Sequence, residues 1–250
     1  MQLWELFLLT GVGIVAGWLN VMAGGGSMLS VPMMIFLGVP GPIANGTNRV
    51  AILAQNVVAV TTFFRRGHSD FRLSLSLAFA SVPGAILGAM AGVRLDGPAF
   101  NRVLAIVMLL VMVLMASKPK KAEQVEQPVV LSRSRLIWAH VCMFGAGLWG
   151  GFIQIGVGFI LMPILYRVLG FDLVRVNMHK VFIVLVYTLA ALAVFASQLQ
   201  LLWQVGLFLA IGNAIGGGLG ARTTAVKGEA FIRPVMYTVL TVFVARLLFF

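Results

Sequence analysis

Three consecutive glycines constrain this chain more than any other feature. The stretch Ala23-Gly24-Gly25-Gly26-Ser27 interrupts an otherwise apolar run from Leu3 to Leu37. Each glycine costs a helix about 1 kcal/mol relative to alanine, so a continuous helix is disfavoured there. Sixty per cent of the residues are hydrophobic and 10% charged, with a mean hydropathy of +1.02. The chain therefore belongs in lipid, where broken backbone survives only when buried in protein or lining a polar cavity. A second break, Gln154-Ile155-Gly156-Val157-Gly158, lies inside the apolar run from Leu136 to Leu169. Aligned at a constant offset of 131 without a gap, the two runs pair Trp18 with Trp149, Gly25 with Gly156 and Pro32 with Pro163. Two matching broken segments point to the binding site of a transporter.

The remaining apolar stretches run over residues 43–64, 73–93 and 103–116, then 173–197, 201–221 and 231–250. Each is long enough to cross or enter a bilayer core of about 30 Å. Residues 117–135 are polar and read as a flexible cytoplasmic linker between a first transmembrane repeat (1–116) and a second (136–250). Gly84, Gly88 and Gly92 align with Gly212, Gly216 and Gly220. Small residues at that spacing let helix backbones approach closely, so they are read as packing faces. The net charge of +11 does not imply nucleic acid, because most cations sit at the ends of apolar segments. The first segment carries Glu5 and no cleavage signal, unlike a secretory leader. Cys142 is alone, and no Cys/His cluster has metal-ligand spacing, so no metal or cofactor is expected.

Loop charge separates two topologies. If each broken segment crosses the membrane once, the loop cations divide nine against seven. If each is a hairpin that enters and leaves on one face, they divide thirteen against three, as cytoplasmic loops require. The expectation is an all-α polytopic membrane protein of two inverted-topology repeats, each a re-entrant hairpin and three transmembrane helices. Both termini then face outward.

All seven acids lie in or beside loops and termini. Two cations, Arg49 and Lys180, fall within apolar segments, at equivalent positions under the 131 offset. Without carboxylates beside them they want an anion; the alternative is that both snorkel to the interface. Asn48 and His179 precede them, with Thr47 nearby. His179 is either a proton carrier or a hydrogen-bonded structural group. Asn20, Ser27 and Gln154 flank the breaks and either satisfy freed backbone or touch substrate. The candidate substrate-binding set is Asn20, Gly24, Gly25, Gly26, Ser27, Thr47, Asn48, Arg49, Gln154, Gly156, Gly158, His179 and Lys180. No catalytic set is present, so an enzyme is disfavoured, and the absence of Gly-x-x-x-x-Gly-Lys-Ser/Thr disfavours ATP drive. With no carboxylate mid-membrane, sodium coupling is not expected.

The run from Gly24 to Pro32, the Gly38-Val39-Pro40 turn, Ala44-Asn45-Gly46-Thr47-Asn48-Arg49, and the second-half run from Gly150 to Pro163 resemble the TauE/SafE family of sulfite exporters and related anion permeases. The resemblance covers nearly the whole chain. It implies transport of sulfite or another sulfur-containing oxoanion or sulfonate across the bacterial cytoplasmic membrane. The partners implied are a small anion and the lipid bilayer, with a homo-oligomer admitted. An anion channel, or a carrier of small organic carboxylates, is the alternative.

Overall fold

The computed structural model describes residues 2–116 and 132–223. Ten helical elements cover them: α1 (Leu3–Ala23), α2 (Ser27–Phe36), α3 (Gly41–Arg65), α4 (Phe71–Gly92), α5 (Gly97–Ala116), α6 (Arg133–Phe152), α7 (Val157–Pro163), a π-helical turn (Ile164–Val168), α8 (Leu173–Gln198) and α9 (Trp203–Thr223). Both breaks fall where the glycines predict them, and the expected segments 43–64, 73–93, 103–116, 173–197 and 201–221 correspond to α3, α4, α5, α8 and α9. The expected last apolar segment and most of the polar linker lie outside the described residues. The end of that linker differs from expectation. The Ser132 side chain accepts the Arg135 N–H (3.3 Å) and starts α6 at Arg133, since a hydroxyl at this position satisfies one of the unpaired donors of a first turn.

Three of the acids cap helix starts. Asp70 accepts the Leu73 N–H (3.3 Å), Asp96 that of Ala99 (2.7 Å), and Asp172 those of Val174 and Arg175 (2.9 and 3.0 Å). An anion there also meets the positive end of the helix dipole, which is why these carboxylates stay at the margins. Among the described residues four helices are long and apolar enough to cross a bilayer: Leu3–Met22, Phe71–Gly92, Leu173–Gln198 and Trp203–Thr223. Phe7, Phe79, Ile106, Trp138, Leu189 and Leu207 are all more than half exposed, an outward apolar surface suited to lipid.

Glycine stripes fix how the helices pair. Gly84, Gly88 and Gly92 of α4 lie against the backbone oxygens of Phe144, Leu148 and Phe152 of α6. Gly212, Gly216 and Gly220 of α9 lie against those of Thr10, Ile14 and Trp18 of α1. A methyl group at any of the six would meet backbone, so the packing reading of these glycines holds. Both pairings run parallel, because contact positions increase together. The α4–α8 pair is also parallel: Ser74 meets His179 near one end, and Gly92 meets Phe195 near the other. Gly206, Gly217 and Gly218 of α9 follow Val50, Gln55 and Val58 of α3 in the same sense. By contrast α3 and α8 are antiparallel, with Gly46 against Phe195 and Phe63 in one cluster with Met178 and Val181.

One alignment detail shifts. By these contacts Thr10, Ile14 and Trp18 correspond to Phe144, Leu148 and Phe152, an offset of 134 in the long limbs. The slide of three residues relative to the ungapped alignment is close to one helical turn of 3.6 residues. It preserves the buried face, which is why apolar pattern alone does not reveal it.

Candidate functional site

The two breaks meet. Gly24 (φ 81°) ends α1 in the left-handed region, where glycine carries no Cβ penalty. Gly156 (φ 73°) plays that part before α7, preceded by Gln154 at φ 55°, a strained value for a side-chain-bearing residue. A Cβ added to Gly24 would strike the backbone of Gly158, and one added to Gly158 would strike Gly24. The approach of the two halves is therefore bare backbone against bare backbone.

A helix that stops inside the protein leaves carbonyls without partners and a negative dipole end. Each break receives a cation from the other sequence half. Arg49 of α3 donates from Nη1 to the Gly150 carbonyl (3.0 Å) and to Gln154 Oε1 (3.2 Å), and from Nη2 to the Gly151 carbonyl. Its guanidinium also lies over the Phe195 ring, 4.5 Å from the centroid. Lys180 of α8 donates to the Val21 carbonyl (2.7 Å), the Asn20 carbonyl (3.3 Å) and Asn177 Oδ1 (2.6 Å). Arg49 is fully buried and Lys180 is 3% exposed. Snorkelling to the interface is thereby excluded, because the ends of α6 and α1 close over them.

The other sequence candidates divide. Asn20, Gly24, Gly158 and Lys180 line one recess beside the crossing, with Asn56, Val157, Val181 and Val184. The recess has room for about one water molecule. Gln154 belongs with Arg49 on the far side. Asn48 instead joins α3 to α2: its Nδ2 donates to Ser27 Oγ (3.1 Å) and its Oδ1 accepts from Ser30 (2.7 Å). The Thr47 hydroxyl accepts the Leu202 N–H (3.2 Å) at the start of α9. Gly26 packs on the Ala16 carbonyl, Gly25 is buried in the break, and Gly156 lies beside Met28 and Val111. His179 turns away from the crossing. Its Nδ1 meets Ser74 Oγ at 2.8 Å, and its ring stacks on Phe171 at 4.8 Å.

Sequence reading missed Asn56, which lines the recess and whose Nδ2 donates to the Ile52 carbonyl of its own helix (2.8 Å). It also missed the Gln55 side chain, which accepts from Asn20 Nδ2 (3.2 Å), and the buried Asn213. Carboxamides in the middle of apolar helices were the available signal, since buried amides in lipid seek partners. Among the described residues, the hydrogen-bond partners of both buried cations are neutral oxygens.

Helices of membrane-spanning length, with two buried cations at paired helix breaks, define a multi-pass membrane protein with a positively charged centre. The sequence profile of the sulfite exporter TauE/SafE family matches residues 9–247, and the chain belongs to that family. It is 26% identical over 234 residues to "Probable membrane transporter protein ORF9" of Sinorhizobium sp, covering 94% of this chain and 88% of the relative. It is also 26% identical over 244 residues to a "Probable membrane transporter protein" of Haemophilus influenzae (98% and 94% covered). A third relative, "Probable membrane transporter protein YfcA" of Escherichia coli K12, is 24% identical over 241 residues (95% and 87% covered). No solved structure matches the chain. The protein is thus a membrane transporter of the TauE/SafE family.

Proposed function

We propose that this transporter is a secondary carrier of a small anion, an oxoanion or sulfonate of the sulfite type, in the bacterial cytoplasmic membrane. One observation carries the reading: Arg49 and Lys180 are buried at the centre with only neutral oxygens as hydrogen-bond partners among the described residues. A helix end offers about half a negative charge, so the two cations together leave the interior with net positive charge that one bound anion would balance. The family's description as sulfite exporters supports the sulfur-containing class.

The architecture we infer is two inverted repeats, residues 1–116 and 136–250, around the linker. Helix directions support it. α1 and α3 both run parallel to α9, which supports a chain that doubles back through α2 as a re-entrant hairpin does. With α6 and α8 both parallel to α4, the same argument applies to α7. The antiparallel α3 and α8 then give the halves opposite senses. The thirteen-to-three division of loop cations supports both termini outside and the linker in the cytoplasm. The closed recess favours alternating access over an open anion channel.

The test is uptake into proteoliposomes, compared across sulfite, sulfate, sulfoacetate, taurine and small carboxylates. Saturable uptake of the sulfur oxoanions or sulfonates, with countertransport of preloaded anion, is expected. Non-saturating flux without countertransport would point to a channel, and preference for carboxylates would replace the substrate class.

A further inference from the structure

The two cations are equivalent in sequence, yet their exposure to the interior differs. Arg49 is enclosed by the Gly150 and Gly151 carbonyls, the Gln154 amide oxygen and the face of Phe195. It is not among the residues that line the recess at the Gly24–Gly158 crossing. Lys180 forms a wall of the recess where Gly24 and Gly158 meet, and among the lining residues it is the charged one. Asn20 and Asn56 face the same space, and Gln55 extends the amide network through Asn20. Among the described residues Gln55 Nε2 is buried without a hydrogen-bond partner, so this amide network has a donor to spare; Arg49 Nε and the Tyr187 hydroxyl are unpartnered as well, but neither residue lines this recess.

Resting on the reading of the protein as an anion carrier, we propose that the anion is held by Lys180, Asn20 and Asn56 in the recess at the Gly24–Gly158 crossing, that Arg49 serves as a brace for α6, and that the site selects monoanions over dianions. The selectivity follows from charge. One ammonium borders the recess, and it already faces the negative end of α1 through the Asn20 and Val21 carbonyls. A singly charged sulfonate or hydrogen sulfite is balanced there. A sulfate dianion brings a second charge that must leave water without a counter-charge in the recess. The Nδ2 of each carboxamide spends one N–H inside the protein, on Gln55 for Asn20 and on Ile52 for Asn56, and the second N–H of each is a neutral donor for the remaining oxygens of the substrate. Loading requires the recess to widen, and the Gly24–Gly158 contact, with no side chain on either partner, is where the two halves can separate.

The experiment is calorimetric titration of the purified full-length protein with methanesulfonate and with sulfate at matched ionic strength, with melting temperatures recorded alongside. Methanesulfonate is expected to bind at least about tenfold more tightly than sulfate, and Lys180→Gln to lose roughly tenfold or more of methanesulfonate affinity. Arg49→Lys, which keeps a cation on the α6 carbonyls, is expected to bind methanesulfonate as the wild type does while melting lower. Asn56→Leu guards against misfolding of the lysine variant, because among the described residues the Asn56 amide group bonds only its own helix. It is expected to melt normally and lose binding by filling the recess. Equal or tighter sulfate binding, an Arg49→Lys loss matching that of Lys180→Gln, or normal binding by Asn56→Leu would each overturn the inference while leaving an anion carrier in place. Failure of both anions to bind the wild type would remove the carrier reading itself.

Discussion

Around Lys180 the chain sets three asparagines; around Arg49 it sets aromatic rings beside a single glutamine. Asn20, Asn56 and Asn177 surround the ammonium, whereas Phe195 covers the guanidinium and the Tyr187 hydroxyl lies against neighbouring Gly150. The frame that carries them is nonetheless shared: a straight helix from one sequence half supplies a cation to the broken helix of the other, and a parallel glycine-striped helix backs each long limb. Both breaks leave carbonyls bare and need a cation, so that part of the design is held in common. What lies beyond the cation is free to diverge: among the described residues, asparagines border a recess on the Lys180 side. Equivalence of position in the chain thus indicates equivalent mechanical duty, while chemical duty must be read from the neighbours.

The frame can be tested for equality, starting with the largest effect. A side chain at Gly88 would meet the Leu148 carbonyl, and one at Gly216 the Ile14 carbonyl. Backbone cannot yield as a side chain can, so Gly88→Val and Gly216→Val should each destabilise by about 3 kcal/mol or more and sharply cut the yield of folded protein. Comparable losses in size-exclusion and melting assays would sharpen the comparison; damage from only one would break it.

A smaller effect separates the residues that precede the cations. Asn48 joins two serines of α2, whereas His179 accepts or donates one bond with Ser74 of α4. Asn48→Ala should therefore cost about 2 kcal/mol, and Ser74→Ala about 1 kcal/mol, in thermal or denaturant unfolding. The reverse order would mean that His179, and not Asn48, secures its half.

The smallest effect is a gain. Gly11 and Gly145 correspond under the 134 offset of the long limbs, both are exposed, and a Cβ on either meets nothing within 4 Å. Alanine at each should stabilise by about 0.5–1 kcal/mol through helix propensity. Matched small rises in melting temperature are the expected outcome; a fall at Gly145 alone would place an unseen neighbour on α6.

Much of this frame was legible in the chain. Glycine runs mark both breaks because nothing else in an apolar segment has their backbone freedom, and glycines every fourth residue mark the stripes because only they admit a second backbone. The burial of Arg49 and Lys180 was only half legible. Their lack of nearby carboxylates pointed to an anion, but sequence does not reveal that carbonyls of the opposite half reach them first. That contact depends on helix ends more than a hundred residues away, which local pattern does not encode. Asn56 was overlooked for a related reason: one amide in an apolar helix matters only once the tertiary fold turns it toward Lys180.

The glycine stripes also dictate an order of biogenesis. The α4 stripe is covered by α6, and the groove of α1 by α9, so neither sequence half can bury its own close-packing face. As the chain leaves the ribosome, α1 to α5 enter lipid with those faces unmatched until their partners from the second half arrive. Insertion and packing are consequently separate events for this protein. A truncation that ends before α9 leaves α1 without its partner, and such a product is a natural target for membrane quality control.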